Sequence, residues 1–181
     1  MSVVSDYVKD PGDMLARAKG LLGWARRSGM TVIHVRVGFR PDFPEVNHRN
    51  VPLNAIKTSP QRRGMFEGPA GEIHPAAAPE GGDIVGAKHQ VDAFVGTDLE
   101  MILRANEIDT LVMFGIASSG VTLSTLLHAF DLDFRTAVIK DCCADLDPEA
   151  HDCLVEKIFP RRSAVMTAEE FVDLLDEPDS V

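Results

Sequence analysis

Along this chain, apolar residues recur at helical spacing in some segments and form short unbroken runs in others. In "DMLARAKGLLGWARRSG" (13–29), Leu15, Ala18, Leu21, Leu22 and Ala25 share one face, which predicts an amphipathic helix ending at Gly29. "TVIHVRV" (31–37) is dense in β-branched residues and predicts a buried strand, with His34 inside it as a satisfied core residue rather than a ligand. Residues 38–80 show neither period. This stretch is rich in Pro, Gly, Arg and Asn, and so long a connection in a compact domain serves a site or an interface. A short strand follows at 82–88.

Beyond residue 88 the alternation is regular. A helix over 97–107 opens with Thr97 and Glu100 in capping-box spacing and buries Leu99, Ile102 and Leu103. "TLVMFGI" (110–116) is a strand covered on both faces. The helix over 120–133 turns Leu123, Leu126, Leu127 and Phe130 inward, and 135–141 is the next strand. Asp147 before Pro148 caps a helix running through "EAHDCLVEKIF". A last strand at 163–168 leads into a terminal helix capped by Thr167 and Glu170. The expected fold class is α/β: three layers, α/β/α, around a mostly parallel sheet in one domain spanning 1–181. The order begins with a helix, and "MSVVSD" lacks the apolar run of a central strand, so the first strand is missing or truncated.

Composition narrows the function. Apolar content of 45% and charged content of 25% fit an ordinary globular protein. A formal charge of −10 argues against nucleic acid as a partner. No apolar run approaches the roughly 18 residues that span a bilayer, and no basic-then-apolar leader opens the chain; the expectation is a cytoplasmic protein without a membrane partner. Three cysteines, Cys142, Cys143 and Cys153, show neither a CxxC spacing nor a disulfide framework, and the six histidines form no helical ligand pair.

The order of segments from "VGAKHQVDAF" through "FGIASSGVTLST" to "IKDCCADLDPEAH" resembles the isochorismatase-like cysteine hydrolases, which include nicotinamidases and carbamoyl-group amidohydrolases. The likeness runs from the first helix to the C-terminus. It implies the fold above, hydrolysis of C–N bonds in small amides, a small-molecule ligand, no cofactor and a homo-oligomer. In that family a Cys at a helix N-terminus attacks the carbonyl, an Asp from the first strand takes its proton, and a Lys keeps that carboxylate charged. Backbone N–H groups bind the oxyanion beside a non-proline cis peptide. Carried over by resemblance, the lysine is Lys88 and the cis bond is Ile116–Ala117. The turn is Ile116, Ala117, Ser118, Ser119, Gly120 and Val121, and the nucleophile position falls on Val121.

A valine cannot attack a carbonyl, and no first-strand Asp is present; Asp6 is a displaced candidate for it. The triad thus reads as degenerate. A non-catalytic binding or structural subunit stays open, as does a hydrolase using Ser, Thr or Asp6. In the family the first strand is central, so either the natural start lies upstream, the favoured expectation, or the stub and a neighbouring subunit fill its place. Lys88 is a site lysine or a solvated strand-end residue. Ser118 and Ser119 are oxygen nucleophiles or, as favoured, satisfy backbone groups of the turn. His89 and Phe94 line a pocket beside Lys88, or are a surface imidazole and a core phenyl. Cys142 and Cys143 are structural rather than replacement thiols, and Cys153 is an apolar filler. Family members that bind metal carry Asp-x-His after the second strand; "VRVGFRPDFPE" lacks it, so no metal is expected.

Overall fold

A computed structural model describes residues 11–176. Its first helix, α1 (Gly12–Arg27), buries Ala18, Leu21 and Leu22. Ala18 and Leu21 pack with Ile139, Cys142, Ala168 and Phe171, and Trp24 meets Phe171 edge-on at 5.8 Å. At the other end of α1, Arg26 bonds to Asp83 at 2.5 Å and to Glu80 at 2.7 Å.

The strands are β1 (Ile33–Val37), β2 (Ile84–Lys88), β3 (Thr110–Met113), β4 (Arg135–Ile139) and β5 (Ala164–Met166). All pairings are parallel, as the crossover helices require. Two ladders result: β1 with β2, and β3–β4–β5 with β4 in the middle. Val138 and Ile139 of β4 are fully buried, pointing to opposite faces. Ile139 meets α1 and α7 (Ala168–Asp176). Val138 meets Leu126 of α5 (Leu123–Asp131) and Leu154, which continues α6 (Pro148–Cys153). This is the three-layer α/β/α arrangement.

The same two helical layers cover both ladders. Ile33 of β1 and Leu111 of β3 pack on one cluster of Phe94, Leu103, Ala129 and Phe134, with Leu103 supplied by α4 (Leu99–Ala105). On the opposite face Arg26 of α1 reaches Asp83, which in turn pairs with His34 of β1. Yet among the described residues no ladder joins β1 to β3. The single sheet expected from the alternation is therefore two ladders side by side, because no described strand lies between them.

Residues 38–80 are more ordered than their aperiodic sequence suggests. They form α2 (Val51–Thr58), α3 (Pro60–Gly64) and two 3₁₀ turns. Asn50 and Ser59 cap the two helices, each ahead of an early proline. Phe43, Val46 and Leu53 bury themselves against Phe39, Ile56 and Val91. Lys57 donates to the carbonyls of Phe43 and Val46 at 2.9 and 3.2 Å, which fixes the loop between them.

Two local expectations need correction. On α5 the inward residues are Thr125, Leu126 and Ala129, while Leu127 and Phe130 face outward at 37% and 46% exposure. Thr125 holds the inward face by accepting the Ala93 amide at 3.1 Å, and Ala129 by packing with Phe94, Leu103 and Phe134. The Thr97–Glu100 capping box does not form. Instead, Thr97 Oγ1 donates back to Ala93 and accepts from Leu99 N–H. The Thr167–Glu170 box does form, with reciprocal bonds of 2.7 and 3.1 Å, and Asp147 caps α6.

Candidate active site

The carboxyl ends of the strands are where parallel sheets place ligands. At that edge Lys88 closes β2, and Gly38 N–H donates to its carbonyl at 3.0 Å. The side chain is only 2% exposed, which excludes the solvated reading. Its Nζ donates to the carbonyls of Gln90 (2.8 Å) and Val91 (2.9 Å). Burial lowers the ammonium from the usual 10.5 to about 8, with the nearby Asp92 charge opposing the shift. The same Val91 side chain flanks Gly120, where an added Cβ would lie 3.8 Å from Val91 Cγ1. Lys88 and the turn after β3 are thus linked through one residue.

That turn leaves β3 through Gly115, at φ 135°, and the Ile116–Ala117 peptide is cis. The segment after β4 holds it. Ser118 N–H donates to Ala144 O at 3.0 Å, and Ser119 N–H donates to Asp145 Oδ2 at 2.7 Å. Ser118 is wholly buried, with Oγ lying 3.2 Å from Ala144 O and 2.8 Å from His151 Nδ1. Its hydroxyl therefore serves the turn's own hydrogen bonding. Burial pushes the Asp145 carboxyl up, but the donors of Ser119, with the Asp147 and Leu146 amides, outweigh this and hold it below the ordinary aspartate value. Val121 is half-buried at the start of the helical run.

The thiols sit elsewhere. Cys142 packs under α1 and Cys143 in the core beneath the turn, with its sulfur meeting the Gly115 amide and the Thr122 hydroxyl. Burial pushes both thiols up to about 12, so neither supplies a thiolate near neutrality. Cys153, expected as an apolar filler, is exposed on α6. Asp6 lies outside the described residues. Phe94 is a core ring in the cluster with Leu103 and Phe134, tilted 43° against the His128 ring at 5.0 Å. His89 is quarter-exposed; its Nδ1 bonds Gly38 O and lies 3.4 Å from Glu45 Oε1.

Glu45 is a largely buried acid near this edge that sequence reasoning did not single out. It is one acid in an aperiodic loop, and only burial of its neighbours Phe43 and Val46 brings it to this edge. Its Oε1 accepts the Arg40 amide at 2.9 Å. Burial raises its pKa, but the Arg40 and Glu45 amides and the charges of His89 and Arg40 lower it further, so the carboxyl stays below the ordinary glutamate value. Among the described residues no three His, Cys, Asp or Glu side chains are grouped to hold a metal.

The sequence profile of the isochorismatase domain matches residues 3–170. The chain belongs to the isochorismatase family. It is 33% identical over 165 residues to the isochorismatase family protein YecD of Escherichia coli O157:H7, covering 90% of this chain and 84% of that one. It is 30% identical to the maleamate amidohydrolase of Pseudomonas putida, over 91% of this chain and 76% of that one. Among solved structures, N-carbamoylsarcosine amidase from Thermoplasma acidophilum superposes with a TM-score of 0.68 at 28% identity, covering 93% of this chain and 86% of that one. This isochorismatase-family member therefore has amidohydrolases among its relatives, and its fold is theirs.

Proposed function

We propose that this protein carries the small-molecule site of a C–N hydrolase for small amides, with its thiol chemistry lost. The carrying observation is the content of the turn after Ile116. Its bonds to Ala144 and Asp145 are in place and Lys88 is adjacent through Val91, but the residue at the family's nucleophile position is Val121. Relatives named for maleamate and N-carbamoylsarcosine support a carbamoyl or amide group as the reacting part of the ligand. A non-catalytic binding subunit is the second reading, favoured by the engagement of Ser118 Oγ with His151 and Ala144, which leaves that hydroxyl no free role. The remaining expectations belong to this proposal: a homo-oligomer on the strength of resemblance, Asp6 as a displaced candidate for the family carboxylate, and a cytoplasmic location from the sequence pattern.

The test installs the missing group. Val121→Cys should place a thiol at the helix start, become alkylated there by iodoacetamide, and release ammonia from small amides such as succinamate. The unmodified protein should release none above background. A Val121→Cys protein that folds and is labelled at 121, yet stays inert, rejects the latent-hydrolase reading; efficient turnover by the unmodified protein rejects the lost-chemistry reading.

A further inference from the structure

The loop after Lys88 ties the lysine to the helix that carries the turn. Gln90 and Val91 take the Lys88 ammonium on their carbonyls, at 2.8 and 2.9 Å. The side chain of Val91 lies against Gly120 in the turn itself. The next two residues grip α5 further along. Ala93 N–H donates to the buried Thr125 Oγ1 at 3.1 Å, and Asp92 Oδ2 meets His128 Nδ1 at 2.5 Å. The loop therefore touches the helical run at 120, 125 and 128, along about two helical turns.

Asp92 is the charged member of this set. Its Oδ1 accepts the Phe94 amide at 2.8 Å, which fixes the carboxylate on the loop, and its Oδ2 faces His128. A carboxylate only accepts, so His128 Nδ1 carries the hydrogen of that bond. The imidazole is held in turn, because its ring lies 5.0 Å from the ring of Phe94, which is 7% exposed. Lys88 gives its hydrogen bonds to neutral carbonyls, and a buried ammonium is costly unless a counter-charge lies near. Asp92 is the charge that acts on it. His89, next to Lys88 in sequence, turns away toward Gly38 O and Glu45.

We propose that Asp92 is a positioning residue for Lys88, with His128 as its clamp: it supplies the counter-charge of the buried ammonium and locks the lysine loop onto the helix that begins at the turn. Its bearing on catalysis rests on the amidohydrolase reading, but the charge of Lys88 and the hold on its loop can be measured without a substrate. Asp92→Asn removes the charge while keeping an oxygen for the Phe94 amide. Its amide nitrogen still pairs with a neutral His128 whose other ring nitrogen carries the hydrogen. Asp92→Ser is a second neutral variant that offers an oxygen to the same amide.

Titration of the full chain by carbon NMR, with label at lysine Cε, follows the Lys88 ammonium directly. In Asp92→Asn, and in Asp92→Ser should the first variant melt early, the Lys88 midpoint should fall by about one pH unit or more. The clamp is read separately, by hydrogen exchange at the Ala93 amide. His128→Ala should speed that exchange about ten-fold or more, and His128→Asn, whose amide nitrogen stands where Nδ1 was, should restore it. A Lys88 midpoint that does not move in a folded, neutral Asp92 variant would overturn the counter-charge. Unchanged Ala93 exchange in His128→Ala, or no rescue by His128→Asn, would overturn the clamp. Either failure leaves the amidohydrolase reading untouched. An inert Val121→Cys protein in which Lys88 and Ala93 respond as expected would leave this assignment standing and remove only the latent-hydrolase reading.

Discussion

His34 Nε2 lies 2.8 Å from Oδ2 of Asp83, and both side chains are more than nine-tenths buried. The same carboxylate takes Arg26 at 2.5 Å, so one acid joins α1, β1 and the entry to β2. The Arg26 hydrogen bond, helped by the Glu80 amide and His34, holds Asp83 far below the ordinary aspartate value despite burial. A carboxyl depressed in the folded state contributes stability above its unfolded pKa and loses that contribution as pH falls. Asp83→Asn should therefore cost about 3 kcal/mol in urea unfolding at pH 7, the scale for breaking a buried pair. The difference from wild type should shrink as pH drops below about 4.

Lys88 makes the opposite demand. Its ammonium is lowered from 10.5 to about 8, so between those values the unfolded chain binds the proton that the folded one releases. Stability then rises with pH across that window, by at most about 3 kcal/mol. Lys88→Met has no such titration. Unfolding free energies from pH 7 to 10.5 should show the wild type gaining on the variant above about pH 8; parallel curves would contradict the burial of a charged Lys88.

The thiols should sort by location. Cys153 is exposed while Cys142 and Cys143 are buried with thiols near 12. At pH 8 an aromatic disulfide reagent should titrate one thiol quickly in the native state and all three in denaturant. Peptide mapping should find the fast label at Cys153. Rapid native labelling at Cys143 would place a reactive sulfur at the turn and undo the reading of Val121.

The divided sheet predicts uneven amide protection. In a parallel ladder alternate amides face opposite neighbours. The bonds Gly38 N to Lys88 O and Arg135 N to Asp109 O set the phase, so Val35 and Val112 point their amides away from β2 and β4. Neither finds a strand partner among the described residues. Hydrogen exchange should release Val35 and Val112 well before Ile139, which lies in the middle strand of its ladder. Equal protection would mean that the two ladders are bridged.

How far the sequence reaches is visible residue by residue. "TLVMFGI" and "RTAVIKD" announced strands because a parallel strand buried on both faces leaves no polar position to confuse the pattern. Thr167 and Glu170 announced a helix start because a capping box is local chemistry. Thr97 and Glu100 share that spacing and failed, because Thr97 bonds backward to Ala93 instead. Leu127 and Phe130 were placed inward by ideal periodicity, but Thr125 and Ala129 hold that face through Ala93 and the cluster around Phe94. At the site, Lys88 and the Ile116–Val121 turn were legible through family order. Glu45 was not, since nothing near it in sequence marks it as buried.

The sequence alone determined the parallel α/β plan, because that is written in local periodicity, and its resemblance to the family marked the lysine, the turn and the valine that stands in it. Tertiary structure decided which groups meet. Folding of residues 38–58 against Val91 carried Glu45 to the strand ends, packing under the turn raised the Cys143 thiol, and two helical layers covered ladders that share no hydrogen bonds. Those outcomes depend on burial and on contacts between residues far apart in the chain, and a linear pattern carries no record of either.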